Sequence, residues 1–240
     1  MDSMKKQARV AGALYLLVAV TAPLGLMVVP AKLFDASNAA LTAERIRGAE
    51  TLLRLGMASE FFHQAVEVFL VMALYQLFQP VNQRLAREMV WLGLIPIPIV
   101  FLNVLNEVAA LMLARGADFL NVFDRPQLDA LAFLFVKLHG SGLQIAAVFW
   151  GLWLIPLARL IWRSGFIPKL VAVPVMAAGL GYLLGAVNSL LAPGLPDALG
   201  ALTFILELGE PVLILWLVVF GAKAVAGPSN LAPAALSSYR

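Results

Sequence analysis

Six apolar runs long enough to cross a membrane follow one another along the chain, at about residues 10–29, 52–78, 89–114, 128–162, 170–191 and 199–225. About 20 predominantly apolar residues span a hydrocarbon core about 30 Å thick. The pattern therefore predicts an all-α polytopic membrane protein, a six-transmembrane-helix bundle forming one domain over residues 1–226. Residues 227–240, rich in small and polar side chains, read as a disordered tail. The first run follows Lys5, Lys6 and Arg9 and stops at Pro30. It is longer than a signal-peptide core and no small-x-small cleavage site follows, so an uncleaved first span is favoured over a signal peptide. Between the first two runs, residues 39–47 read either as a short interfacial helix started by Ser37 or Asn38 or as a solvated loop. The fourth run exceeds what the hydrocarbon needs and must tilt or project.

Polar residues interrupt these runs with helical periodicity. In the second, Glu60, His63, Gln64 and Glu67 fall within a stripe about 100° wide at about 100° per residue, opposite a face of Phe, Ala, Val and Leu. In the third, Asn103, Asn106 and Glu107 repeat that spacing. The fourth carries Lys137, His139, Ser141 and Gln144, and the sixth Glu207, Glu210 and Pro211. At a rise of about 1.5 Å per residue, Glu60, His63, Asn106, Glu107, Lys137, Glu207 and Glu210 lie at similar depths, roughly 10 to 17 Å from one end of their spans. A charged side chain at the bilayer centre costs about 2.5–3.5 kcal/mol. Five glutamates against Lys137 must therefore pair, take up protons, or meet a cation or water.

The composition, 62% hydrophobic and 13% charged, agrees with a lipid-facing surface, since globular domains are about 25% charged. A net charge of +3, scattered along the chain, gives no footprint for nucleic acid. Without cysteine there is no disulfide, thiolate metal site or cysteine nucleophile. With both termini cytoplasmic, Lys5, Lys6, Arg9, Arg84, Arg87, Arg159, Arg163, Lys169, Lys223 and Arg240 lie inside, against Lys32, Arg45, Arg47, Arg54, Arg115 and Arg125 outside. The positive-inside rule favours that orientation.

Several segments resemble a bacterial membrane-protein family catalogued as domain of unknown function 4386. They include Leu74-Tyr-Gln-Leu-Phe-Gln-Pro-Val-Asn82, Val148-Phe-Trp-Gly-Leu-Trp153, Trp162-Arg-Ser-Gly-Phe-Ile-Pro168 and Ala178-Gly-Leu-Gly-Tyr182. The resemblance reaches from the first span to the last and implies six spans in a bacterial inner (plasma) membrane. It implies no activity. Where the family has a Gly-rich opening to the fifth span, this chain has Val171-Ala-Val-Pro174.

Candidate chemistry concentrates in the polar layer. Glu60, His63, Gln64, Glu67, Asn103, Asn106, Glu107, Lys137, His139, Gln144, Glu207 and Glu210 are candidates for binding a ligand or ion, with Glu60, His63, Glu107 and Glu207 as candidate ligands of a divalent cation. Glu60 and His63, one helical turn apart, fit either a metal site in a helix bundle or a plain Glu–His hydrogen bond. Lys137 reads as counter-ion to a glutamate, and His139, about 200° from it, as a packing histidine. Pro211 withholds the amide that the Glu207 carbonyl would accept, so the sixth helix is expected to kink and offer that oxygen beside two carboxylates. Gly181 and Gly185 form a small-xxx-small packing face. These features predict a bundle in the lipid bilayer whose polar cavity binds or moves a cation, proton or small polar ligand. A metal-assisted membrane enzyme and an accessory subunit with a purely structural polar layer are the rival readings.

Overall fold

A computed structural model describes residues 2–192 and 197–223. The helices are α1 (Asp2–Pro23), α2 (Val29–Leu33), α3 (Ala39–Gly48), α4 (Glu50–Phe78), α5 (Gln83–Leu94), α6 (Pro96–Arg115), α7 (Arg125–Ser164), α8 (Lys169–Leu191), α9 (Asp197–Glu207) and α10 (Glu210–Val219). Six segments are long and apolar enough to cross a membrane: Ser3–Leu33, Glu50–Phe78, Gln83–Arg115, Arg125–Ser164, Lys169–Leu191 and Gly200–Val219. The expected 227–240 tail and the 224–225 end of the sixth run lie outside the described residues.

The first span does not stop at Pro30. A π-helical turn over Leu24–Val28 follows α1, and Pro30 occupies the first turn of α2. A proline is tolerated in a first turn because no intrahelical partner waits for its amide. Residues 39–48 form a helix, with the Asn38 side chain accepting from the Leu41 amide at 3.0 Å. The third span starts earlier than its apolar run suggests, because Asn82 caps α5 and a change of direction at Ile95 leads into Pro96. Asp124 and Gln127 form a reciprocal cap at the start of the 40-residue α7. The sixth span breaks at Leu208 and Gly209, and Pro211 falls in the first turn of α10. Proline makes this a clean interruption rather than a bend in a continuous helix.

Helix α7 is the common wall of the bundle, packing against α8, α6, α5 and α3, while α1 packs on α4 and α10. Glycines set the closest approaches. Gly151 and Gly179 face each other across α7 and α8, each backbone within 3 Å of where the other would carry a Cβ. At Gly181 a Cβ would stand 2.9 Å from the Thr203 carbonyl of α9, so this glycine is a contact of the helix pair. One apolar core gathers Tyr15, Leu74, Phe78, Met89, Trp153, Leu157, Ile161 and Leu213. A second, around Val29, Ile46, Leu53, Leu111 and Ala132, ties α3 over the ends of α4, α6 and α7. Above it, Asp129 receives Arg47 at 2.9 Å and Arg125 at 3.2 Å. Between the two cores the polar stripes meet.

Candidate intramembrane cation site

The stripe on α4 turns inward as its periodicity demands. Glu60, His63, Gln64 and Glu67 are buried, while Phe61, Phe62 and Phe69 on the other face are exposed. On α6, Asn103 and Glu107 are buried as well. The third contributor is His139 of α7, 1% exposed. Its Nε2 lies 3.3 Å from Glu60 Oε1 and 3.9 Å from Glu107 Oε1. One ligand atom from each of the three side chains falls within 4.8 Å of the others. Both oxygens of Glu60, both of Glu107 and Nε2 of His139 are buried without a hydrogen-bond partner. Buried polar atoms are nearly always satisfied, and here one ligand atom from each of the three side chains comes within a spacing that a shared proton, water or cation could bridge.

Surrounding groups hold the histidine in place. The Asn103 side-chain amide donates to the His139 carbonyl at 2.8 Å and stands 3.2 Å from its Nδ1, and the Asn103 backbone carbonyl lies 3.4 Å from the same nitrogen. Asn106 donates to Asn103 Oδ1 at 3.0 Å, which fixes the orientation of that amide. Gly142 makes room for it: a Cβ there would lie 2.0 Å from Asn103 Oδ1. On the other side the π turn brings Gly25 against Glu60, where a Cβ would meet Glu60 Cγ at 2.7 Å. Neither glycine stood out in the sequence, because each matters only through a neighbour on another helix.

The structure separates the four candidate metal ligands. His63 is turned away from Glu60: its Nδ1 lies 2.9 Å from the Ser59 carbonyl, which can only accept, so the ring proton sits there. Its Nε2 then accepts from Gln64 Nε2 at 3.1 Å, leaving Gln64 Oε1 buried without a partner. Glu207 is also outside the cluster and lines a groove with Gln144. Lys137 is not the counter-ion; it is exposed, and its Nζ donates to the Ala36 carbonyl at 2.8 Å and covers the Phe133 ring. The angular separation of Lys137 and His139 was legible, but which of the two faces the bundle was not. His139 takes the inward position.

The expected single polar layer is divided into two. One to two turns along α4, His63, Gln64 and Glu67 join Tyr15, Trp150, Trp153, Tyr182 and Glu210 around a cavity of about 100 Å³. There the Tyr15 hydroxyl donates to Glu210 Oε2. Glu210 therefore belongs to this second chamber and not to the cluster of Glu60, Glu107 and His139.

These features define the class: an all-α multi-pass bundle with ionisable groups enclosed between its spans. Over residues 10–221 the chain matches the family described as Domain of unknown function (DUF4386), and it belongs to that family. No curated protein and no solved structure matches it.

Proposed function

We propose that the protein binds a divalent transition-metal ion within the membrane through Glu60, Glu107 and His139. The observation that carries this reading is the convergence of one ligand atom from each of three buried side chains on three helices, none of them with a hydrogen-bond partner among the described residues. Two carboxylates and an imidazole suit zinc, manganese or ferrous iron better than calcium or magnesium, which take oxygen ligands. Ligand atoms of a four-coordinate ion at about 2.1 Å lie about 3.4 Å apart. His139 and Glu60 already have that spacing, at 3.3 Å, and Glu107 stands 3.9 Å from the same nitrogen. With the ion on Nε2, the His139 ring proton sits on Nδ1 and faces the Asn103 carbonyl, the kind of outer partner that orients a metal-bound histidine. Two glutamates and one divalent ion are neutral together, which removes the cost of two enclosed anions. Three protein ligands leave a coordination position open, as a site requires if it is to exchange its ion or present it to a substrate. Transport or sensing of the ion is the simplest use; a metal-assisted membrane enzyme would start from the same site.

Cobalt(II) reads this out directly. Purified protein should develop the visible absorption of low-coordinate cobalt. His139→Ala should abolish it, and His63→Ala should leave it unchanged. Loss in both variants, or in neither, would refute the ligand set.

Support for the orientation comes from the Lys and Arg distribution, and we place both termini in the cytoplasm of a bacterial cell with residues 34–49 outside. The chain has no native cysteine. An impermeant thiol reagent applied to whole cells should label Ser37→Cys and spare Ser3→Cys; the opposite pattern would reverse the orientation.

A further inference from the structure

The second chamber has a chemistry of its own. Two aromatic pairs frame it, Tyr15 with Trp153 and Trp150 with Tyr182, each with ring centroids 6.1 Å apart. Glu67, 5% exposed, lines the space and makes no hydrogen bond among the described residues. Gln64 also lines it and has a buried, unpartnered Oε1. Among the described residues, no lysine or arginine borders it. Carboxylate, amide oxygen and ring faces together call for a cation that carries N–H donors, since aromatic faces attract ammonium groups.

The chamber adjoins a wider groove of about 320 Å³, and Ala22, Leu26, Trp150 and Tyr182 border both. The groove runs between α1 and α7 along Pro23, Met27, Leu143 and Ala147, with Gln144 and Glu207 at its polar side. Its backbone adds an acceptor. Proline has no N–H, so Pro23, inside α1, offers no i+4 donor to the carbonyl of Ala19, and both residues line the groove. Among the described residues, no basic side chain stands there to meet a phosphate.

We infer that this chamber and groove form a binding site for a lipophilic amine, with the ammonium head between Glu67 and the aromatic rings and the apolar body in the groove. The inner space, about 100 Å³, holds roughly three water-sized groups at about 30 Å³ each. That fits an ammonium head with one or two carbons. A phospholipid amine is disfavoured because its phosphate would sit uncompensated near Glu207. The site is separate from the metal ligands, so it does not depend on the metal proposal.

Hexylamine, hexan-1-ol and methylammonium test this with the purified full-length protein in detergent, read by tryptophan fluorescence and by melting temperature. Hexylammonium should bind and raise the melting temperature, and hexan-1-ol should do neither at equal concentration. Glu67→Gln should weaken hexylammonium at least tenfold, while Glu107→Gln binds it as wild type does. Ala19→Trp, at an exposed position on the groove, should weaken hexylammonium and spare methylammonium. Equal responses to amine and alcohol in wild type would overturn the proposal without any mutant. So would unchanged amine affinity in a folded Glu67→Gln protein. Loss of amine binding in Glu107→Gln would also overturn it, by moving the effect to the other cluster.

Discussion

Glu107→Gln is expected to remove the thermal stabilisation that a divalent metal ion gives the wild-type protein. Binding to the folded state stabilises by mass action, by about 2.7 kcal/mol at a hundredfold excess over the dissociation constant. For a chain of this size each kcal/mol moves the melting temperature by about 2–4 °C, so wild type should gain roughly 5–10 °C with zinc or manganese. The variant loses one of three ligands and should gain almost nothing, whereas His63→Ala should keep the gain. The metal-free comparison separates binding from architecture. Glu60 and Glu107 are two enclosed acids that share one imidazole, so neutralising one relieves repulsion, and metal-free Glu107→Gln should melt no lower than wild type. A purely structural network predicts the reverse: a lower melting temperature for the variant and the same small ion response in every protein.

Gly209→Ala should destabilise the bundle more than any change at the cluster. Gly209 has ordinary right-handed helical angles, φ −68° and ψ −27°, so alanine meets no backbone objection. Its Cβ, however, would lie 1.9 Å from the Pro174 carbonyl oxygen and 2.6 Å from that carbonyl carbon. Backbone atoms cannot swing aside as a side-chain tip can, so the junction of α9 and α10 must move off α8. Changes of that kind belong to the exceptional class above about 4 kcal/mol, which corresponds to a melting temperature lower by about 8–16 °C or more. Gly200→Ala is the control. Nothing stands within 4 Å of its added Cβ, and its position inside α9 should make it neutral or slightly stabilising. Thermal unfolding of both variants in one detergent decides the matter; similar melting temperatures would show that the contact at Gly209 yields easily.

The six spans were legible because lipid imposes a length and a composition on each of them. Glu60 and Glu107 were legible too, since helical periodicity puts each on the polar stripe of its own helix, and only an inward face makes such a stripe affordable. Periodicity stops short of how the helices meet. In α4 it grouped Glu60 with His63, yet one turn of separation sends His63 to Ser59 and Gln64 and leaves Glu60 to a residue 79 positions later. In α7 it showed two polar directions without ranking them, and charge balance pointed to Lys137. Lys137 lies on an exposed side of α7 and reaches the Ala36 carbonyl, so the inward direction falls to the weaker base, His139. The two chambers were likewise invisible. They depend on where α1 leaves α7 uncovered, a property of the assembled bundle.

The origin of the cluster on three separate helices also sets an order in time. Glu60 and His139 are about 80 residues apart, and synthesis adds about 5–20 residues per second. Glu60 is thus made roughly 4 to 16 seconds before its histidine, and Glu107 precedes it by a shorter interval. During that interval the second and third spans must be held with their carboxyl groups unmatched, and only α7, when it is complete, closes the site. Until His139 has been made, the carboxyl groups of Glu60 and Glu107 lack the imidazole that meets both of them in the folded bundle.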